Sequence, residues 1–289
     1  MRGEIGTPVI DELRLCYVAE PLLLEELSAA EVGSSVSVSP FVLYRVGGDR
    51  FQYQFVVCEG DIGDREEVDY LKYGKYGAAD SPYVYYRLSN HVLYNEIRLR
   101  EVLSLPEMLG MVFNNFTAID IAIDYKKNIS SIIKRMMRND QIKTIINGKV
   151  WKERKKIIPG VTFDYSTSLS RLHCPTITLR QAKAVKNKDK GIIIQCYDKK
   201  AEIEISSDKQ YILDYYDCPA HLFRLEVRLH YQELQDYCRR EGVAQSIECL
   251  YDPAFLAGAF YYHLGSVLRF TLGRRKLDWQ EIIERNGKV

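Results

Sequence analysis

Gly-Ile-Ile-Ile-Gln-Cys-Tyr-Asp-Lys-Lys-Ala-Glu-Ile-Glu, residues 191 to 204, combines a strong strand signal with reactive side chains. The run Ile192 to Ile194 is β-branched and unbroken, which predicts a buried strand leading to Tyr197. A phenol, with a pKa of about 10, is a poor nucleophile unless cations or a metal ion stabilise its phenolate. Lys199 and Lys200 supply suitable cations. Tyr197 is thus a candidate nucleophile, and an ordinary packing tyrosine is the alternative in a chain with 21 tyrosines.

A second segment, residues 116 to 125, alternates cleanly between isoleucines and small or acidic residues. Asp120 and Asp124 therefore share one face of a predicted strand. Acidic residues are disfavoured in strands, so the pair suggests a metal site. Their Cα atoms would lie about 13 Å apart in a flat strand, so at most one of them can be a direct ligand of a given ion.

A third segment, residues 222 to 230, alternates in the same way. Its apolar side chains form one face and leave Arg224, Glu226 and Arg228 on the other. Such charges are costly to bury unless they are paired or bind an ion. The segment either lines a catalytic cleft or is an exposed strand with cross-strand ion pairs.

Other parts of the chain show weaker signals for regular structure. Residues 42 to 46 and 51 to 57 predict a hairpin, since Gly47 and Gly48 lie between them. Helices are predicted over residues 21 to 30, 106 to 116, 129 to 140 and 254 to 272. Together these signals predict an α+β fold, with largely antiparallel sheet and a central catalytic sheet flanked by helices. We expect one domain over residues 1 to 289, with two packed lobes, about 1 to 115 and 116 to 289, as the alternative arrangement.

Composition is that of a globular protein, with 46% apolar and 27% charged residues. The formal net charge is only +1, from 40 basic and 39 acidic side chains, so only local clustering can indicate a nucleic-acid partner. Seven scattered cysteines without zinc spacing favour reduced thiols. No apolar run has the length of a membrane span, and we expect a cytoplasmic protein.

Basic clusters do occur between the acidic strand and Tyr197. Such residues can contact DNA phosphates, although a solvated loop is the commoner explanation of a charge run. The candidate DNA-binding residues are Lys149, Lys152, Arg154, Lys155, Lys156, Lys183, Lys186, Lys188 and Arg228. Residues 69 to 94 also interleave seven tyrosines with cations, which suits either unstacked bases or simple packing.

If the three strands are neighbours, a tyrosine, basic residues and carboxylates meet on one face. That set suits cleavage of a phosphodiester bond by a tyrosine, with cations and a metal ion offsetting the charge on the phosphate oxygens. Tyr197 would attack phosphorus and remain joined to the 5′ phosphate.

The sequence resembles the Rep_trans group of rolling-circle plasmid replication initiators, which has related proteins in phages and conjugative transposons. The resemblance covers nearly the whole chain and rests on five short segments in the family's order. These are Val-Ile-Asp-Glu-Leu-Arg-Leu (9 to 15), Ala-Ile-Asp-Ile-Ala-Ile-Asp (118 to 124), Cys-Tyr-Asp-Lys-Lys-Ala-Glu (196 to 202), Phe-Arg-Leu-Glu-Val-Arg-Leu (223 to 229) and Arg-Lys-Leu-Asp-Trp (275 to 279).

The resemblance implies an enzyme that nicks and rejoins DNA with Mg²⁺ or Mn²⁺. Tyr197 matches the nicking tyrosine and Lys199 the lysine of its motif; Asp120, Asp124 and Glu226 match the carboxylates around the metal. Lys200 and Arg224 complete the set of expected catalytic residues. The implied partners are a single-stranded or hairpin nick site in origin DNA, a second copy of the chain and a host helicase.

Several alternative functions differ in how well they match the sequence. A tyrosine recombinase is disfavoured because the His-x-x-Arg spacing at His221 and Arg224 enters a strand rather than a helix. ATPase and serine-hydrolase motifs do not occur in the sequence. A DNA-binding regulator without catalysis, or another protein of a mobile element, stays open, since Ala118 and Gln195 stand where the family often has basic residues.

Overall fold

The computed structural model describes residues 3–48, 50–59, 66–75, 81–151, 161–164, 176–187 and 190–288. They form antiparallel sheets flanked by helices, which confirms the predicted α+β class. The chain divides into two compact units, and the dividing point falls inside one long strand, between Ile119 and Asp120. The first unit comprises Ile10–Ile119 and Gln245–Ile247; the second comprises Arg2–Val9, Asp120–Ala244 and Glu248–Val289.

The first unit is built on a meander of antiparallel strands. Its strands are β1 (Pro8–Val18), β2 (Ser35–Val38), β3 (Phe41–Val46), β4 (Phe51–Glu59), β5 (Glu66–Lys75), β6 (Tyr83–Leu88) and the first part of β7 (Val112–Tyr125). They follow the order β7-β1-β6-β5-β4-β3-β2. Helices α1 (Pro21–Ser28) and α2 (Glu96–Met108) and a 3₁₀ helix (Asn90–Tyr94) lie in the same unit. The hairpin predicted from the glycines at 47 and 48 is confirmed as β3 and β4.

The helix predicted over residues 106 to 116 is wrong. Helix α2 begins after Asn95, whose side chain accepts a hydrogen bond from the Arg98 backbone N–H at 3.2 Å. Pro106 lies in the last turn of α2 rather than in the first turn of a new helix. Gly110 then adopts a φ of 69°, which ends the helix, and β7 begins two residues later.

Some of the tyrosines between residues 69 and 94 are buried in the core, and others are exposed to solvent. Tyr73 and Tyr86 are buried, at 2% and 1% exposure, and Tyr83 is 42% exposed. The Tyr86 hydroxyl donates to the buried Asp69 carboxylate, whose pKa is raised well above its usual value by burial. Packing therefore accounts for the innermost rings. Residue 76 lies outside the described residues.

The second unit contains two sheets with helices around them. The larger sheet has β10 (Val161–Asp164), β11 (Thr176–Arg180), β12 (Ile193–Asp198), β13 (Phe223–His230) and the second part of β7, in that order. The smaller has β15 (Arg275–Lys276), β14 (Leu268–Leu272), β8 (Ile142–Ile146) and β9 (Lys149–Val150), in that order. The helices are α3 (Ile129–Arg138), α4 (Ala182–Lys186), α5 (Lys199–Ser206), α6 (Gln210–Tyr215), α7 (Tyr231–Glu241), α8 (Pro253–Val267) and α9 (Trp279–Glu284). A 3₁₀ helix spans Ile247–Tyr251.

Helix α3 covers the apolar face of the larger sheet. Its isoleucines and methionines are buried, and its Ser130 hydroxyl lies 3.2 Å from the Cys196 sulfur. Since side chains alternate along a strand, Cys196 points toward α3 and its neighbour Tyr197 points to the opposite face. The helix predicted over 254 to 272 is correct only up to Val267, because β14 occupies its last five positions. Among the described helices, none has the length and apolar character needed to cross a membrane.

Candidate active site around Tyr197

Tyr197 lies at the end of β12, directly before a helix. The strand is buried through Ile193 and Ile194, as its β-branched run predicts. Asp198 then caps α5, since its carboxylate accepts a hydrogen bond from the Ala201 backbone N–H at 3.0 Å. The Tyr197 side chain is half-buried. The strand-to-helix junction therefore presents the phenol at the edge of the polar face.

Glu226 on the neighbouring strand is the hydrogen-bond acceptor of this phenol. Strands β12 and β13 are antiparallel, with Tyr197 opposite Arg224 and Gln195 opposite Glu226. The Tyr197 hydroxyl donates to Glu226 Oε2 at 3.1 Å, and Glu226 is only 4% exposed. A carboxylate at this distance can accept the phenolic proton during a nucleophilic attack.

The two lysines after Tyr197 have different environments. Lys199 is 2% exposed, and its Nζ lies 5.7 Å from the centroid of the Tyr197 ring and 2.8 Å from Glu202 Oε2. The Lys200 side chain, 29% exposed, donates instead to the Pro219 carbonyl oxygen at 3.1 Å. Of the two predicted lysines, Lys199 is therefore the one that the described contacts place beside the Tyr197 ring.

Arg224, opposite Tyr197, forms a fully buried ion pair with Asp124. Its Nε donates to Asp124 Oδ1 at 2.8 Å and its Nη2 donates to Oδ2 at 2.6 Å. Neither side chain is exposed. Tyr216 lies beside the pair, and its pKa is raised above the usual value by burial and by the negative charge of Asp124.

Arg228 and Asp120 form a second, more accessible ion pair, four residues away along each strand. The guanidinium Nε lies 2.8 Å from Asp120 Oδ1, and Nη2 also donates to Oδ2. Arg228 is 32% exposed at its side chain, whereas Asp120 is 2% exposed. Both predicted acidic residues of β7 thus bind arginines of β13 through two-pronged contacts of the strong kind.

The three predicted metal ligands have the right chemistry but are not assembled into a ready site. Carboxylate oxygens suit Mg²⁺ and Mn²⁺. However, Asp120 and Asp124 bind arginines, and Glu226 accepts from Tyr197. Within the described ranges, no group of three or more His, Cys, Asp or Glu side chains is arranged to hold a metal ion. One carboxylate is enough for Mg²⁺ when substrate phosphates and waters complete its shell, so the metal roles of Asp120, Asp124 and Glu226 stay predictions.

The predicted DNA-binding residues are only partly described. Lys149 is exposed on β9, and Lys183 and Lys186 are exposed on α4. Arg228 is the only one that the described contacts place at the candidate site, through Asp120. The remaining predicted positions, Lys152, Arg154, Lys155, Lys156 and Lys188, lie outside the described residues.

Sequence reasoning did not identify Tyr216 as a residue of this site. The residue follows another tyrosine in Leu-Asp-Tyr-Tyr-Asp, and no periodic pattern there indicates which ring turns inward. Its 6% exposure and the effect of Asp124 on its pKa come from tertiary packing.

A comparison with solved structures found a rolling-circle initiator among the structures similar to this chain. It is described as the rolling circle replication initiator protein from Geobacillus stearothermophilus, with 14% sequence identity and a TM-score of 0.46. The match covers 96% of this chain and 90% of that one. No protein-family model matches the chain, and no curated protein matches it.

Proposed function

We propose that this protein nicks and rejoins one strand of DNA through Tyr197, at the start of rolling-circle replication. The observation that carries the proposal is the hydrogen bond of 3.1 Å from the Tyr197 hydroxyl to Glu226 Oε2. The Tyr197 side chain is half-buried, its hydroxyl contacts the buried Glu226 carboxylate, and the buried Lys199 ammonium lies near its ring. These are the parts of an activated nucleophile.

The reaction needs one proton acceptor, and Glu226 supplies it. Tyr197 Oη attacks phosphorus while its proton passes to Glu226. The bond from phosphorus to the 3′ oxygen breaks, and the leaving oxygen takes the proton back from Glu226. The 5′ phosphate stays joined to Tyr197. Attack by a 3′ hydroxyl on this phosphotyrosine reverses the steps and rejoins the strand.

Cations near Tyr197 stabilise the negative charge that grows in the transition state. Lys199 is preorganised for this role because it is buried and held by Glu202. Arg228 presents a partly exposed guanidinium on the same face and can meet a phosphate oxygen of the strand. Arg224 is fully buried against Asp124, so we assign it to positioning rather than to contact with DNA.

A divalent ion, Mg²⁺ or Mn²⁺, is part of the proposal. Glu226 would hold it through the carboxylate oxygen that does not accept the Tyr197 proton, and the ion would supply charge neutralisation at the phosphate. In this assignment Asp120 and Asp124 act through the arginines that they hold.

The test is an incubation of the protein with supercoiled plasmid in the presence of Mg²⁺ or Mn²⁺. We expect nicked circles that carry covalently bound protein. Tyr197→Phe should abolish both, whereas the matched change Tyr231→Phe, at an exposed ring of α7, should leave both intact. An adduct that persists in Tyr197→Phe would refute the assignment of the nucleophile.

A DNA-binding regulator is the second candidate function. It is favoured by the commitment of both acidic residues of β7 to arginines, since paired charges also serve a purely structural role. Tight DNA binding without nicking would support the regulator. Neither binding nor nicking would point to another protein of a mobile element. A dimer and a host helicase remain proposals that follow from the resemblance.

A further inference from the structure

A cavity of about 710 Å³ opens in the second unit at the end of β7. Its wall carries three phenol rings and a carboxamide, together with lysine and glutamate side chains at the same opening. The lining residues that matter here are Tyr125, Tyr216, Tyr261, Gln280, Lys126 and Lys127. Its volume is in the range of pockets that enclose most of a small organic ligand.

The groups in the wall suit a flat, uncharged, polar ligand. Phenol rings offer faces for stacking, and Gln280 offers a carboxamide that also hydrogen-bonds the Tyr261 hydroxyl. Tyr125 and Tyr261 are joined through their hydroxyls at 3.3 Å, which fixes two of the rings relative to each other. Lys126 and Lys127 are balanced in the lining by Glu4 and Glu284, so the cavity does not select an anion by charge alone.

Lys127 is already bound by the protein and therefore helps to shape the cavity. Its Nζ donates to the carbonyl oxygens of Ile283 at 3.1 Å and Glu284 at 2.8 Å, at the end of α9. A cation at the C-terminal end of a helix is favourably placed, and it holds one rim of the cavity to the other.

The cavity lies at the same end of the sheet as Tyr197. Arg224 and Arg228 pair with Asp124 and Asp120 in that order, so β13 and β7 run antiparallel. Tyr125 follows Asp124, and Arg224 is opposite Tyr197. Two strand spacings, about 10 Å, therefore separate the Tyr197 backbone from that of Asp124. Of the cavity's rings, Tyr216 lies on the Asp124 side of the sheet, whereas Tyr125 points to the α3 side, near Cys196. The cavity therefore reaches around the end of β7 to the side that carries Tyr197.

We propose that this cavity receives one unstacked nucleobase from the DNA strand that Tyr197 cleaves. Base and aromatic ring stack without regard to sequence, and Gln280 at the rim can hydrogen-bond the base edge. A base held there fixes the strand on one side of the scissile phosphate, so the cavity contributes to positioning the phosphate. The inference rests on the proposed function, because it takes DNA as the ligand.

Photocrosslinking tests the location of the base directly. The probe is a single-stranded oligothymidylate with iodouracil at successive positions, bound to the Tyr197→Phe protein so that cleavage does not intervene. We expect peptide mapping to find the adduct on Tyr125, Tyr216 or Tyr261. Adducts that fall only elsewhere, such as on the tyrosines of β5 and β6, or the absence of any adduct, would overturn the proposal.

Affinity measurements give a second readout. Tyr261→Ala should weaken binding of oligothymidylate by about 10-fold, the order of one lost base stack, but should not weaken binding of an all-abasic strand of the same length. Tyr262→Ala is the matched control on the same helix, because Tyr262 packs against Tyr237 and Arg240 outside the cavity. Gln280→Ala, at an exposed position, provides a variant that does not depend on aromatic packing. An equal loss of affinity for both strands would contradict the base site.

The base site and the nicking function can fail separately. If the plasmid is nicked through Tyr197 but no crosslink reaches the cavity, the function stands and the base site is wrong. If the crosslink forms in the cavity but no nicking occurs, the base site stands and the protein is a DNA-binding regulator.

Discussion

Arg224 and Asp124 are bound to each other by two hydrogen bonds, of 2.8 and 2.6 Å, and neither side chain reaches solvent. Charges taken out of water are stable only when they are paired, so each residue depends on the other. Because Arg224 is also directly opposite Tyr197, the pair fixes the strand that carries Glu226 next to the nucleophile.

Loss of one partner of this pair should destabilise the protein strongly. We expect Asp124→Asn to lower the free energy of unfolding by about 3 to 5 kcal/mol, because it removes the negative charge that a buried guanidinium faces. Asp120→Asn should cost less, since Arg228 is 32% exposed and water can solvate it. Urea denaturation of the two variants measures the difference, and equal losses would show that the burial of Arg224 does not matter.

Glu226→Gln should slow nicking while DNA binding persists. The amide keeps the size of the side chain and can still hydrogen-bond the phenol, but it cannot take the proton. General-base catalysis contributes about 10²- to 10⁴-fold, so we expect a loss of this order in the rate of adduct formation. The rate is measured by quenched time courses on plasmid, with affinity for DNA measured in parallel. A variant that nicks at the wild-type rate would remove Glu226 from the mechanism.

The two lysines after Tyr197 provide a matched pair for testing the role of charge. Lys199→Met removes a buried ammonium 5.7 Å from the ring of the nucleophile, and we expect slower nicking. Lys200→Met removes a partly exposed ammonium that is held by the Pro219 carbonyl oxygen, and we expect little change. Single-turnover nicking rates decide between them. The reverse order of effects would assign the phosphate-facing role to Lys200.

Stability should fall in mild acid because of His263. Burial lowers the pKa of its imidazole from 6.5 to about 4. In mild acid the unfolded chain therefore binds a proton at His263 that the folded chain does not bind. The contribution of His263 to the free energy of unfolding is fully present above pH 6.5 and is lost as the pH falls from about 6.5 to 4. At a pH of about 5 the loss amounts to about 2 kcal/mol.

The measurement is urea unfolding of the wild type and of His263→Gln at neutral and mildly acidic pH. The difference in unfolding free energy between the two proteins should shrink or reverse as the pH falls, since glutamine does not titrate. A difference that is independent of pH would show that His263 binds its proton equally well in both states.

The sequence predicted the strands of the site because alternation is a local property. β7, β12 and β13 each show which residues face the helices and which face the other side, and Tyr197, Glu226 and Arg224 lie on the polar face as expected. Alternation does not give the neighbours across strands. Whether Asp124 meets a metal ion or an arginine depends on the register of β7 against β13, which no short stretch encodes.

Predictions that relied on a single residue were weaker. Pro106 predicts the start of a helix but lies in the last turn of α2, because the cap at Asn95 and the turn at Gly110 set the limits of that helix. Tyr216 has no periodic signal in the sequence, because it lies between helix α6 and strand β13 rather than within either. The predicted metal roles of Asp120 and Asp124 stay predictions.

The orientation of β12 also protects the thiol beside the nucleophile from chemical reagents. Cys196 precedes the nucleophile in sequence, yet it is buried against Ser130, and burial raises its pKa to about 12. Cys218 is exposed, although its hydrogen bond to Asp214 also raises its pKa. Alkylating agents should therefore label Cys218 long before Cys196, so a fluorophore can be attached there to follow DNA binding while the residue beside Tyr197 stays unmodified.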